Sequence, residues 1–260
     1  MKKILIAVGL IALAAACGEK PEIVPVPAKP AEAPLAPAAP TPAAEETKPF
    51  VIPPAAKKQA KYFPEGSPSR AIQDLDDMLD SYVLDPQTAE QRQYNEDLKR
   101  TVIKGTFDIR ELCRLALDKH WGERTPQEQD AFVDLMIRLL EKKAIFSKEQ
   151  GQKKAKKSKN VYSVTYEGHK FTNPNELNAL AMSLVHIPSE SLKIELNYKL
   201  KKDGGSAGGG WKIYDVIVDG ASLLDNYKYQ FDKIIAKEGY PNLVHRMESK
   251  LKELQEKDQK

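Results

Sequence analysis

Beyond residue 66, apolar positions recur at helical spacing through the first half of the chain and at every second position through much of the second. Ser67-Pro68 can start a helix, with Ile72, Leu75, Leu79 and Tyr82 on one face. Thr88 with Gln91 three residues on forms a capping box, and Gly105 is the expected stop. Phe107, Asp108, Glu111 and Leu112 combine a second box with a hydrophobic staple. The helix they open carries Ile109, Leu112, Leu115 and Ala116 on one stripe and ends near Trp121-Gly122. Thr125-Pro126 with Glu128 opens a longer helix, whose apolar face is Phe132, Leu135, Met136, Leu139 and Leu140, continuing to Ile145.

The period then changes from 3.6 to 2. Tyr162 to Glu167 and Asn178 to Ile187 read as strands. In a third, Leu192, Ile194, Leu196, Tyr198 and Leu200 alternate with Lys193, Glu195, Asn197 and Lys199, giving one apolar and one solvated face. Asp203 to Gly210 is a Gly-rich turn, and Trp211 to Asp219 is a fourth strand. Strict alternation puts Tyr214, Val216 and Val218 on one of its faces and Trp211, Ile213, Asp215 and Ile217 on the other. The glycines join two strands and no Gly-Lys-Ser/Thr follows, so they read as a hairpin rather than a phosphate loop. Gly220 ends the strand and Ser222 caps a helix with Leu224, Tyr227, Phe231, Ile234 and Ile235 inward. Gly239-Tyr240-Pro241 breaks it, and a last amphipathic helix carries Leu243, Met247, Leu251 and Leu254. The pattern predicts an α+β fold: a twisted antiparallel sheet of about four strands, covered by an N-terminal helical half and C-terminal helices.

The first 66 residues follow neither period. Lys2 and Lys3 precede 13 uncharged, apolar residues, Ile4 to Ala16. That run is too short to span a hydrocarbon core about 30 Å thick and reads as a secretory signal. Ala14-Ala15-Ala16 leads into Cys17, which resembles a lipobox, with Ala14 where Leu is usual and Leu13 one place earlier. Residues 1–16 are thus the expected lipoprotein signal peptide, and Cys17 the expected lipidation site. Gly18 follows it; the absence of Asp there favours the outer over the inner membrane as the anchor's site. Eleven of the 18 prolines fall between Pro21 and Pro54. Proline removes donors and fixes φ, so residues 17–66 read as an extended tether, reaching on the order of 100 Å if stiff. Residues 67–257 form the one expected domain, long enough for a core.

Composition narrows the function. Without Lys2 and Lys3 the chain holds 38 basic and 37 acidic residues, a balance that argues against bulk nucleic-acid binding. With Cys17 lipidated, Cys113 has no partner within the chain, and its helical position reads as a buried thiol. His120, His169, His186 and His245 lack metal-ligand spacing, and neither G-x-S-x-G nor H-E-x-x-H occurs. Asp215 and Asp219, roughly 13 Å apart on one strand face, are wider than the roughly 5–9.5 Å of paired catalytic carboxylates. The chain reads as a non-enzyme with no cofactor. Lys153, Lys154, Lys156, Lys157 and Lys159 form a basic run between the long helix and the first strand, either a solvated loop or a landing patch for anionic headgroups.

The run from Trp211 to Leu223, Trp-Lys-Ile-Tyr-Asp-Val-Ile-Val-Asp-Gly-Ala-Ser-Leu, resembles the signature of the MlaC-like, or toluene-tolerance, family of periplasmic phospholipid-binding proteins. Asn226-Tyr227 and Gln230-Phe231 stand where that family has its Tyr and Gln-Phe. Phe107-Asp108, Leu115-Ala116-Leu117, Trp121, Thr125, Gln129 and Phe132 match its helical segment, and Leu196 to Leu200 its third strand. The resemblance spans about residues 67–245. Ala144-Ile145-Phe146 and the Lys-rich run after it depart from the pattern, as does the tether.

The resemblance implies a bound glycerophospholipid as cargo, in an apolar cavity between sheet and helices. Its walls would be Tyr198, Tyr214, Val216 and Val218 from strands and Leu139, Leu140, Tyr227 and Phe231 from helices. It further implies an Mla-type inner-membrane ABC transporter complex and an outer-membrane lipoprotein/porin complex as partners. The alternative is a cell-envelope interaction lipoprotein with the same fold and no lipid cargo.

Overall fold

The computed structural model describes residues 62–80, 83, 88–143, 163–188, 191–204 and 210–258. Cys17, the Pro-rich stretch, Tyr82, Ile145 and the lysine run at 153–159 lie outside them. Among the described residues, six helices and a five-stranded antiparallel sheet follow in the order α1 (Pro68–Asp80), α2 (Ala89–Thr106), α3 (Ile109–Leu117), α4 (Pro126–Lys143), β1 (Ser163–Phe171), β2 (Asn178–Ile187), β3 (Leu192–Lys202), β4 (Trp211–Val218), β5 (Ala221–Ser222), α5 (Leu223–Glu238) and α6 (Tyr240–Asp258). The strands lie side by side in chain order, as a meander.

The helix starts obey their caps. Thr88 accepts from the Gln91 N–H while Gln91 reaches back to the Thr88 N–H. Asp108 accepts from Glu111 at 2.8 Å, Thr125 and Glu128 exchange bonds, and Ser222 accepts from Asp225. Each satisfies a donor that the first turn leaves without an intrahelical partner. Gly105 does not stop α2. The helix continues to Thr106, and Phe107 then turns extended, because the Asp108 N–H is drawn to the Ile213 carbonyl of β4 at 2.8 Å. Likewise α3 ends at Leu117, and a short 3₁₀ turn, Asp118–His120, leads to Trp121.

Two apolar clusters form. One is helical, built from α3, α4, α5 and α6 around Leu112, Phe132, Met136, Leu139, Tyr227 and Leu243. The other lies on one face of the sheet, where Ile72 and Leu75 of α1 and Val102 of α2 meet Ala179, Ala181, Val185, Ile194, Leu196, Tyr198 and Val216. Phe107 packs against both.

Two bulges set which residues share that sheet face. In β1 the register skips at Glu167, where Gly168 has φ +103°. In β4, Ile213 pairs with Leu200 and Asp215 with Lys199, so Tyr214 is the extra residue. An extra residue reverses the alternation beyond it. The expectation that Tyr214, Val216 and Val218 share a face is therefore corrected. Trp211, Ile213, Val216 and Val218 line the face under α1, while Tyr214 packs at the edge of the helical cluster. A fifth strand, absent from the sequence reading, follows through the two-residue turn Asp219-Gly220. Both residues have positive φ, at 49° and 80°, and pair Val218 with Ala221.

Candidate functional site

The helices and strands expected to wall one cavity are divided between the two clusters. Leu139, Leu140, Tyr227 and Phe231 sit deep in the helical one, all 2% exposed or less. There Phe132 meets Phe231 edge-on at 5.7 Å and Tyr227 stacks on Phe231 at 5.6 Å. Such contacts are those of a filled core. Cys113 belongs to the same core, and burial pushes its thiol well above the ordinary range, which leaves it inert. Tyr198, Val216 and Val218 stand instead on the sheet face.

On β2 that face is closed throughout, with Ala179, Ala181, Val185 and Ile187 at 2% exposure or less, whereas β3 and β4 are closed only in part: Leu200 and Ile213, near the Gly-rich turn, are fully buried, while Ile194 is 9% and Tyr198 8% exposed. Toward the same side, Leu192 and Val218 are only half-buried, as are Met78 and Leu79 of α1 and Leu98 of α2. Apolar side chains that line a sheet yet stop short of full burial, with a helix laid over them, offer acyl chains a surface that needs no specific hydrogen bond. Tyr198 puts a phenol here, and burial raises its pKa, so it stays neutral.

The covering helix α1 is fastened by polar contacts. Ser69 Oγ lies 2.9 Å from His169 Nδ1 of β1, and Tyr166 of β1 donates to Asp76 at 2.6 Å. Phe63 donates its N–H to Gln73, and Trp211 donates its indole N–H to the Gly66 carbonyl at 2.9 Å. The chain just ahead of Ser67 is thus tied to the domain as well.

The opposite face of β3 and β4 reaches the helical cluster through charge. Lys201 pairs with Glu111 of α3 at 3.3 Å. Asp215, 1% exposed, receives the Leu224 N–H at 3.0 Å, the Ser222 hydroxyl at 2.8 Å and the Lys199 ammonium at 2.9 Å. Burial pulls the Lys199 pKa down, but the bond to Asp215 and its charge outweigh this and leave it raised. A carboxylate at the start of α5 also meets the positive end of the helix dipole. Asp219 is not part of this pair; it accepts from the Glu195 N–H and shapes the turn.

A groove of about 400 Å³ between α3 and α5 has a different character. Ion pairs span it, Lys119 with Asp232 and Lys228 with Asp118, and His120 also reaches Asp232. Its rim is too polar for acyl chains. Among the described residues no three His, Cys, Asp or Glu side chains are grouped to hold a metal ion, and no helix is long and apolar enough to cross a membrane.

Sequence reasoning missed α1's place over the sheet and the buried role of Asp215. The family description "MlaC protein" matches residues 73–249. Among solved structures, the phospholipid-binding protein from Ralstonia solanacearum, determined in complex with a phospholipid, is 20% identical; the match covers 72% of this chain and 97% of that one, with a TM-score of 0.54. At that identity the likeness is one of fold. No curated protein matches.

Proposed function

Because this chain belongs to the MlaC family, we propose that it binds a glycerophospholipid non-covalently, with the acyl chains on the sheet face under α1 and α2. One observation carries the placement: along β3 and β4 the apolar residues of that face are less buried at Leu192 and Val218 than at Leu200 and Ile213, while Leu139, Leu140, Tyr227 and Phe231 of the helical cluster are 2% exposed or less. The phospholipid held by the Ralstonia protein of like fold supports the ligand class. Binding and release without covalent chemistry make it a carrier rather than an enzyme. In this reading it passes lipid between envelope membranes with an Mla-type ABC transporter, while anchored through a lipid on Cys17.

Organic extraction of the purified protein, followed by mass spectrometry, should return phospholipid at close to one molecule per chain. A lipid-free protein from a membrane-containing host would favour the interaction-lipoprotein alternative. The anchor is tested separately. Cys17→Ser should abolish incorporation of a labelled fatty acid and leave the precursor uncut before residue 17; equal labelling in the mutant would remove the anchor from Cys17.

A further inference from the structure

Two tyrosines stand on the sheet face under α1, and their hydroxyls differ in what they meet. Tyr166 of β1 is half-buried and donates to Asp76 of α1 at 2.6 Å. Tyr198 of β3 is 8% exposed, pairs with Ala181 of β2 and Val216 of β4, and packs into the apolar cluster. Its hydroxyl takes part in no hydrogen bond among the described residues. A buried phenol ordinarily finds a partner, because a donor left unpaired away from water is costly.

The surroundings of Tyr198 select what that partner can be. Its cross-strand neighbours Ala181 and Val216 are apolar, and the charge that acts on it is the Asp76 carboxylate, which Tyr166 already engages. Burial and that carboxylate both keep the phenol protonated, so it offers a donor. The same carboxylate repels a second anion, which disfavours a phosphate or a free carboxylate at this point. A neutral acceptor that enters together with apolar chains fits instead. In a glycerophospholipid the ester carbonyls are such acceptors, each at the head of an acyl chain.

We propose that the Tyr198 hydroxyl donates to an ester carbonyl of the bound lipid and so selects ester-linked over ether-linked glycerophospholipids. This rests on the reading that the cargo lies on the sheet face. A dialkyl ether lipid carries the same apolar chains without the carbonyl, so its binding leaves the phenol unpaired. One neutral hydrogen bond corresponds to roughly three- to tenfold in affinity.

The full chain is mixed with vesicles holding equal amounts of dioleoyl phosphatidylglycerol and its dioleyl ether counterpart, both deuterated so that lipid from the host is told apart. Mass spectrometry of the extract from the recovered protein should show the ester lipid enriched roughly three- to tenfold over the ether. Tyr198→Phe keeps the ring and should bring the two lipids to parity. With the ether lipid bound, wild type and variant should unfold at the same temperature, since the hydroxyl has no protein partner to lose. Parity in the wild type, or enrichment that persists in the variant, overturns selection by Tyr198 and leaves the cargo reading standing. A less stable variant with the ether lipid bound would mean that the hydroxyl is bonded within the protein, which also overturns the selection. Uptake of neither lipid would sink the cargo reading and this inference together.

Discussion

Asp215→Ala is expected to destabilise the domain by about 3 kcal/mol, roughly 6–12 °C in Tm for a chain of this size. The carboxylate is buried and satisfies three donors at once: the Leu224 N–H, the Ser222 hydroxyl and the Lys199 ammonium. Removing it leaves the amide at the start of α5 buried without an acceptor, which accounts for most of the loss. Lys199 is one-third exposed and can turn to water, so its share is discounted. Asp215→Asn keeps an oxygen for Leu224 and should cost about half as much. Thermal unfolding of both variants checks this. Equal, small losses would mean that the carboxylate does not hold α5 to the sheet.

The second large effect concerns cargo. Val216→Trp should leave a folded domain that co-purifies with far less phospholipid. Val216 pairs with Tyr198 on the sheet face and is 6% exposed. In a filled core such overpacking costs about 1–3 kcal/mol; on a face that accommodates acyl chains, the indole takes their space instead. Phe132→Ala supplies the contrast. Phe132 is 1% exposed in the helical cluster, so its truncation should cost about 3–5 kcal/mol while lipid per folded molecule stays unchanged. If Val216→Trp keeps its lipid, or Phe132→Ala loses it, the placement of the cargo is wrong.

Much of this domain could be read from local signals. Thr88 with Gln91, Thr125 with Glu128, and Ser222 place three helix starts, because a cap and its first turn are made by residues three positions apart. The alternation Leu192 to Leu200 sets β3 and its inward face by the same locality. The Asp219-Gly220 pair, with positive φ at both positions, was a legible hairpin signal for β5 that the strand pattern overshadowed. The run from Trp211 to Leu223 carried the family.

Other features were settled only by contacts distant in sequence. Nothing local distinguishes Tyr214 from Val216. The skipped pairing between Lys199 and Leu200 reverses β4 at that point, sending Val216 under α1 and Tyr214 toward the helices. Periodicity showed that α1 and α5 each had an apolar face but not what would cover it. That was decided by Ser69 meeting His169, 100 residues away, and by Asp215 receiving the start of α5. Periodicity and caps are properties of neighbouring residues, and so the sequence by itself determined the elements, the inward face of β3 and the family. Which face meets which layer, and hence which apolar surface remains open to a ligand, depends on strand register and on long-range polar contacts that exist only once the chain has folded.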